Sequence, residues 1–212
     1  MAVGNGAALA HPTIHEDGAS LGFYSKPTFR EWVASYSLKR WLSVGARYFE
    51  LNHQKNSQIG VATAGLLLWR GNFEDSQSNL WVTGGVGGEN SVSSSSLTGF
   101  FSPEWDWESR TWMAAAKYEL LPGISNAPNN LLRLRGGHAA FRGEAEQLNI
   151  WLLLQVDYHP IGDINLPVTF HPAQNLVELQ WTPVLRLTYK NANLELGASN
   201  NGAGHLNFEV HY

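Results

Sequence analysis

The sequence ends Gly204-His205-Leu206-Asn207-Phe208-Glu209-Val210-His211-Tyr212, and this stretch decides the fold. Leu206, Phe208, Val210 and Tyr212 alternate with Asn207, Glu209 and His211. A period of two is the mark of a strand with one apolar and one polar face. Upstream, Leu194, Leu196 and Ala198 alternate in the same way with Glu195, Gly197 and Ser199. Asn191-Ala192-Asn193 joins that strand to the one before it, where Val177, Leu179, Trp181, Leu185, Leu187 and Tyr189 oppose Glu178, Gln180, Thr182, Arg186 and Thr188. Pro183 falls inside this run and predicts a bulge or a local break, because proline has no N–H to give to a ladder.

The pattern continues toward the N-terminus. Leu148, Ile150, Leu152, Leu154, Val156 and Tyr158 share one parity, with Asn149, Trp151, Leu153, Gln155, Asp157 and His159 on the other. Leu132 and Leu134 oppose Arg133 and Arg135, and Trp112, Ala114, Ala116, Tyr118 and Leu120 oppose Lys117 and Glu119. Leu97, Gly99, Phe101, Trp105 and Trp107 oppose Thr98, Ser102, Glu104 and Asp106, and Leu80, Val82 and Val86 face away from Thr83 and Glu89. Trp32, Ala34, Tyr36 and Leu38 oppose Glu31, Ser35 and Ser37, while Leu42, Val44, Ala46 and Tyr48 oppose Ser43 and Arg47. The segment 18–26 reads as a first strand carrying Leu21 and Phe23. Only 58–70 resists phasing, being apolar on both parities. The reading is all-β: a single antiparallel up-and-down barrel of about twelve strands, with ten as the alternative, each long enough to cross an outer membrane when tilted. Residues 18–212 form the barrel, and 1–17 form an N-terminal periplasmic tail or short plug.

Composition narrows the class. Only 15% of the 212 residues are charged, against 43% hydrophobic, yet no run is long enough for a membrane helix. Aromatic residues make up 12% of the chain and the formal net charge is −4, which argues against disorder and against a broad nucleic-acid surface. There is no Cys, so disulfides and thiolate metal sites are excluded. Ala8-Leu9-Ala10 before His11 resembles a small-x-small cleavage site, although no basic and apolar leader precedes it.

Connections alternate in length. His53–Ser57, Glu89–Ser96, Pro122–Asn130 and Pro160–Asn175 are longer or rich in Asn, Ser, Gly and Pro. Lys39-Arg40, Asp106–Ser109, Arg142–Glu146 and Lys190–Asn193 are shorter. Membrane barrels separate extracellular loops from periplasmic turns in this way. The run 71–77, longer than a tight turn, and the short 26–28 connection strain the pattern. An even strand count puts both ends on the periplasmic side.

A soluble barrel of the lipocalin kind keeps its apolar face inside, and a membrane barrel turns it outward. Trp41, Tyr48, Trp69, Trp105, Trp107, Trp112, Tyr118, Tyr158, Tyr189 and Tyr212 sit near strand ends, where rings favour the membrane–water interface. The apolar parity is also nearly free of charge. The stretch Gly204–Tyr212 resembles the C-terminal signal of Gram-negative outer-membrane β-barrel proteins, and the strand pattern extends the likeness over 18–212. The resemblance implies outer-membrane lipid around the barrel and the barrel assembly machinery as a partner of the last strand. The charge balance leaves no nucleic-acid partner expected, and no cofactor is assigned.

On this reading the lumen carries Glu31, Arg47, Glu104, Asp106, Lys117, Glu119, Arg133, Arg135, Asp157, Glu178, Arg186, Glu195 and Glu209. They form either ion pairs that stiffen the wall or a polar pore that selects small solutes or ions. Trp81, Phe100, Trp151 and Leu153 fall on the same parity and narrow or block the passage. The leading function is a narrow pore or specific small-solute channel. The alternatives are a non-conducting anchor, scaffold or partner-binding barrel, and a membrane-embedded hydrolase. Outer-membrane phospholipase-like enzymes share a twelve-stranded fold and pair His with Ser on one strand. Here Ala139 and Ala140 follow His138, so that arrangement is missing. His138 falls on the outer parity, where lipid A deacylase-like barrels keep their Ser-His-acid set, but no nearby Ser completes a nucleophile–base pair. The pairs Asp157/His159 and His205/His211, and the N-terminal His11, His15, Glu16 and Asp17, are the nearest approach to metal-ligand sets, and no metal site is assigned to them. Gly84-Gly85-Val86-Gly87-Gly88 lacks the Lys and the helix of a phosphate loop, and reads, like Gly136-Gly137, as a place to bend a strand or pack it closely.

Overall fold

The computed structural model describes residues 16–26, 29–51, 57–90, 95–121, 130–141, 147–159 and 178–212. Its strands run in chain order as β1(Ala19–Lys26), β2(Phe29–Lys39), β3(Leu42–Leu51), β4(Ser57–Asn72), β5(Ser76–Asn90), β6(Ser95–Ser109), β7(Trp112–Leu120), β8(Asn130–Phe141), β9(Asn149–His159), β10(Glu178–Tyr189), β11(Ala192–Ala198) and β12(Gly204–His211). Each strand pairs antiparallel with its sequence neighbours, and β1 pairs with β12, so the sheet closes into a twelve-strand barrel. Backbone bonds Ala19 N to Tyr212 O (3.0 Å) and Tyr212 N to Ala19 O (2.8 Å) finish the seam.

Closure puts both barrel ends on one rim, with the connections 40–41, 73–75, 110–111, 142–148 and 190–191. The other rim carries 27–28, 52–56, 91–94, 121–129, 160–177 and 199–203. We call these the turn rim and the loop rim. Two expectations change here. The run 71–77 is mostly ladder: β4 and β5 continue to Asn72 and Ser76, and Phe73 N bonds Ser76 O at 2.8 Å across a tight turn. Pro183 makes no bulge, since its pairing with Leu154 keeps the β9–β10 register. Trp181 N and O both reach Asn200, so Pro183, of the same parity, directs its missing N–H to the side where the β10–β11 ladder stops at Val184. The proline thus sits where no hydrogen bond is lost.

The polarity is inverted relative to a soluble barrel. Leu21, Val86, Leu97, Leu152, Leu179 and Trp181 are among the large apolar side chains standing exposed on the outer face. Charged side chains reach that face of the described strands only within two residues of a strand end, at Arg30, Lys39 and Glu50. Trp41, Trp112, Phe141, Tyr189 and Tyr212 ring the turn rim, and Tyr48, Tyr118, Tyr158 and Trp181 lie toward the loop rim. An apolar belt between two aromatic girdles is the surface a bilayer requires, and a wall that dense in exposed Leu and Trp has no other stable solvent.

The segment 58–70 resists phasing because its inner side is apolar too. Ile59 and Val61 point inward and pack with Phe49 and Phe100. The glycines of β5 let β4 come close here. A Cβ on inward Gly85 or Gly87 would run into the β4 backbone at Ala62 or Gly60, whereas outward Gly84 and Gly88 have room. Gly137 makes the same close approach to Leu152 and Leu153. Glycine at these inner positions lets neighbouring strands turn sharply.

Candidate functional site: the charged lumen

Because side chains alternate across a strand, each inner position is fixed by register. Two polar networks result. In the first, Arg47 on β3 donates from Nε to Glu31 on β2 (2.6 Å) and from a terminal nitrogen to Glu119 on β7 (2.9 Å). Lys117 holds the same Glu119 at 2.8 Å. The guanidinium lies 4.3 Å from the Phe100 ring centroid and 5.3 Å from that of Phe49, so its face meets π-systems while its edge meets carboxylates.

The second network is continuous over β1 and β8–β12. Arg133 Nε donates to Asp157 (2.8 Å), and its Nη2 donates to the Tyr24 hydroxyl (3.0 Å). Gln155 Nε2 donates to Asp157 (2.8 Å), and Gln155 Oε1 accepts from Arg135 (2.8 Å). Arg135 reaches Glu195 through two nitrogens, at 2.5 and 3.2 Å. Glu195 also accepts from Arg186 Nε (2.7 Å) and Asn207 (3.1 Å), and lies 3.4 Å from His205 Nε2. With Glu195 only 1% exposed, this saturation is what makes a buried carboxylate tolerable.

Every sequence-assigned lumen charge whose side chain is described lies on the inner face. Glu31, Arg47, Lys117 and Glu119 meet in the first network. Arg133, Arg135, Asp157, Arg186 and Glu195 meet in the second. Asp106 accepts from Asn79 at 2.9 Å, away from both. Glu209 lies 3.4 Å from His211. Glu104 lines the cavity beside Lys117 in register, with no hydrogen bond or ion pair among the described residues. Glu178 opens β10, and its side chain lies outside the described residues.

Between the networks and the turn rim lies a cavity of about 180 Å³, lined by Ser20, Ser43, Thr63, Thr83, Ser102 and Asn193 as well as by the charges. Met113, Trp151, Leu153 and Val184 form an apolar cluster inside the barrel, each almost wholly buried, and it adjoins the cavity through Ala115. Trp81 and Phe100 are also inward and buried. Of the four inner hydrophobics singled out in the sequence, Trp151 and Leu153 belong to this cluster, Phe100 to the cluster of Phe49, Ile59 and Val61, and Trp81 to neither.

Tyr24 is the network member that sequence reading misses. Leu21 and Phe23 set the phase of the first strand, and the opposite parity of the same run carries Tyr24 inward. His205 and His211 sit three inner positions apart on β12, about 20 Å at strand rise, too far to share a metal. Among the described residues no group of three potential ligands gathers. His138 stands on the outer face with its ring 4.6 Å from that of Trp112, edge-on. The side chain of His159, and residues His11 and His15, lie outside the described residues.

No protein-family model matches the chain, and no curated protein matches it. Among solved structures it is similar to the KdgM porin in complex with disordered oligogalacturonate. The identity is 11%, the TM-score is 0.50, and the alignment covers 92% of this chain and 98% of that one. The KdgM porin by itself is similar at 10% identity and TM-score 0.49, over 92% and 98% of the two chains. At this identity the likeness is one of architecture, and it shows what the ladders already describe: this chain has the closed twelve-strand β-barrel fold of an outer-membrane porin.

Proposed function

We propose that the protein is an outer-membrane barrel that passes small polar solutes or ions through its lumen. The observation that carries this reading is the polarity of the inner face: charged and hydroxyl side chains surround a cavity of about 180 Å³ inside a wall whose outside is apolar. A barrel needed only as an anchor gains nothing from burying Arg and Glu, whose desolvation costs several kcal/mol per ion. A water-filled path uses them. In this reading the turn rim faces the periplasm, the loop rim faces the exterior, the N-terminal segment 1–17 is a periplasmic tail or plug, and β12 is what the assembly machinery reads.

Folded protein in planar bilayers tests the proposal. Discrete openings are expected, and a baseline that never departs from that of empty lipid overturns it. One observation favours the second reading, a non-conducting anchor or partner-binding barrel: Arg47 and Arg133 reach side chains on distant strands, so the lumen is crossed and not merely lined. Conductance separates the two. Nothing in the arrangement supports the hydrolase alternative. His138, its candidate base, has an aromatic neighbour in Trp112 and no serine hydroxyl bonded to it among the described residues.

A further inference from the structure

The two arginines that cross the lumen share a geometry. Arg47 is on β3 and its partner Glu119 on β7, with β4, β5 and β6 between them along the wall. Arg133 is on β8 and its partner Tyr24 on β1, with β9 to β12 between them. Lys117 and Arg133 face each other in the β7–β8 register, so both bridges leave one patch of wall and land on the opposite patch formed by β1, β2 and β3. Together they are two struts at nearly one height.

The struts divide the lumen. On the β3–β7 side of them the interior is occupied by Phe49, Ile59, Val61 and Phe100, which exclude water. On the β8–β1 side it is occupied by Gln155, Asp157, Glu195, His205 and Asn207, each hydrogen-bonded into the second network. Any solute passing from the cavity to the loop rim must go between or around the struts. Neither strut is a loose surface pair. Arg47 and Arg133 are each held by two oxygen partners and by an aromatic ring, at 4.3 Å from Phe100 and 4.9 Å from Tyr24.

Resting on the reading of the chain as a pore, we propose that these struts are its sieve. Arg47 and Arg133 set the size limit, and they confine passage to inorganic ions and solutes smaller than a disaccharide. A barrel of twelve strands without such crossings has room for more, because interior width grows with strand number.

The test removes one foot of a strut. Glu119→Ala is the gentlest cut, since Arg47 keeps Glu31 and Lys117 has the uncommitted Glu104 as its cross-strand neighbour. Arg30→Ala, at an exposed rim pair 3.8 Å from Glu50, is the control. Folding is checked by the mobility difference between heated and unheated protein in gels. Single-channel conductance is expected to rise about two-fold or more in Glu119→Ala and to stay unchanged in Arg30→Ala. Swelling of liposomes gives a readout that needs only the unaltered chain: entry of glycine and exclusion of sucrose are expected, with arabinose entering faster in Glu119→Ala.

Sucrose entry at rates near those of glycine, or a folded Glu119→Ala with unchanged conductance and cut-off, overturns the sieve and leaves the pore. If the unaltered protein passes neither ions nor glycine, the pore reading fails. In that event conduction by Glu119→Ala alone supports the struts as a closure, and silence from both removes the struts along with the pore.

Discussion

The wall made by β8–β12 and the wall made by β3–β6 present the same apolar outside and opposite insides. The first has Arg133, Arg135, Asp157, Arg186 and Glu195 joined in one hydrogen-bonded chain. The second has Phe49, Ile59, Val61 and Phe100 in contact, on strands of up to 16 residues that approach closely at inward glycines. They are filled by different means: one wall joins its charges to each other, and the other packs apolar side chains, with Arg47 lying over Phe100 and Phe49 and paired to Glu31 and Glu119 on other strands. What a barrel requires of its interior is satisfaction, and polarity is only one way to obtain it.

The sharpest way to break this contrast is Glu195→Ala. It strips one carboxylate from two guanidinium groups, at a cost of about 3–5 kcal/mol if they stay buried and unpaired. Urea unfolding from phosphocholine vesicles measures it, and a loss under about 1 kcal/mol would mean that water already shares the network. Next comes the outer face common to both walls. Leu152, 58% exposed to the bilayer side, should cost about 2–4 kcal/mol as Leu152→Arg, while Asn149→Arg, on the inner parity of the same strand, should cost much less. Equal losses in the same unfolding assay would reverse the assigned faces.

The glycine corner allows a finer comparison. Gly87→Ala drives a methyl into the Gly60 backbone and should cost about 1–3 kcal/mol, as overpacking does. Gly84→Ala, three residues away and facing outward, meets nothing closer than 4.0 Å and should stay within about 0.5 kcal/mol of the parent. Two equal values would mean that the β4–β5 wall relaxes freely and that the close approach is not fixed by sterics. The smallest effect is expected at the loop rim. Arg30→Ala should change stability by under about 1 kcal/mol, and that little should shrink further in high salt, because the pair with Glu50 is exposed. A larger, salt-resistant loss would show that this pair is held in the membrane interface.

The same contrast explains what could be read in advance. Alternation gives the strands, their faces and the inner charges wherever an inner charged residue sits between outer apolar ones, as with Asp157, Arg186, Glu195 and Glu209 in β9 to β12. It gives nothing at 58–70, where Ile59 and Val61 face an apolar lumen and every residue looks alike. The identity of the partners is also invisible in sequence. Arg47 and Glu119 stand far apart in the chain, and only closure of the ring brings them within 2.9 Å. Pro183 is read only in part: there is no bulge against β9, and the break falls on the β11 side, because which neighbour its nitrogen faces is a fact of registry between strands and not of the residue.

The seam between β1 and β12 has one more consequence. Ala19 and Tyr212 exchange backbone bonds on the turn rim, beside the two-residue turn that separates Lys39 from Leu42. A circular permutant is therefore accessible: join Tyr212 to Gly18 through a short linker, omit 1–17, and open the chain between Arg40 and Trp41. Every ladder survives, but the chain now ends on β2 and the aromatic-terminated stretch 204–212 lies inside it. Such a permutant should refold into vesicles with the parent's heat-modifiable mobility and yet accumulate unassembled in cells. That outcome would separate the shape of this barrel from its delivery to a membrane, and normal assembly of the permutant would overturn the proposal that β12 is what the assembly machinery reads.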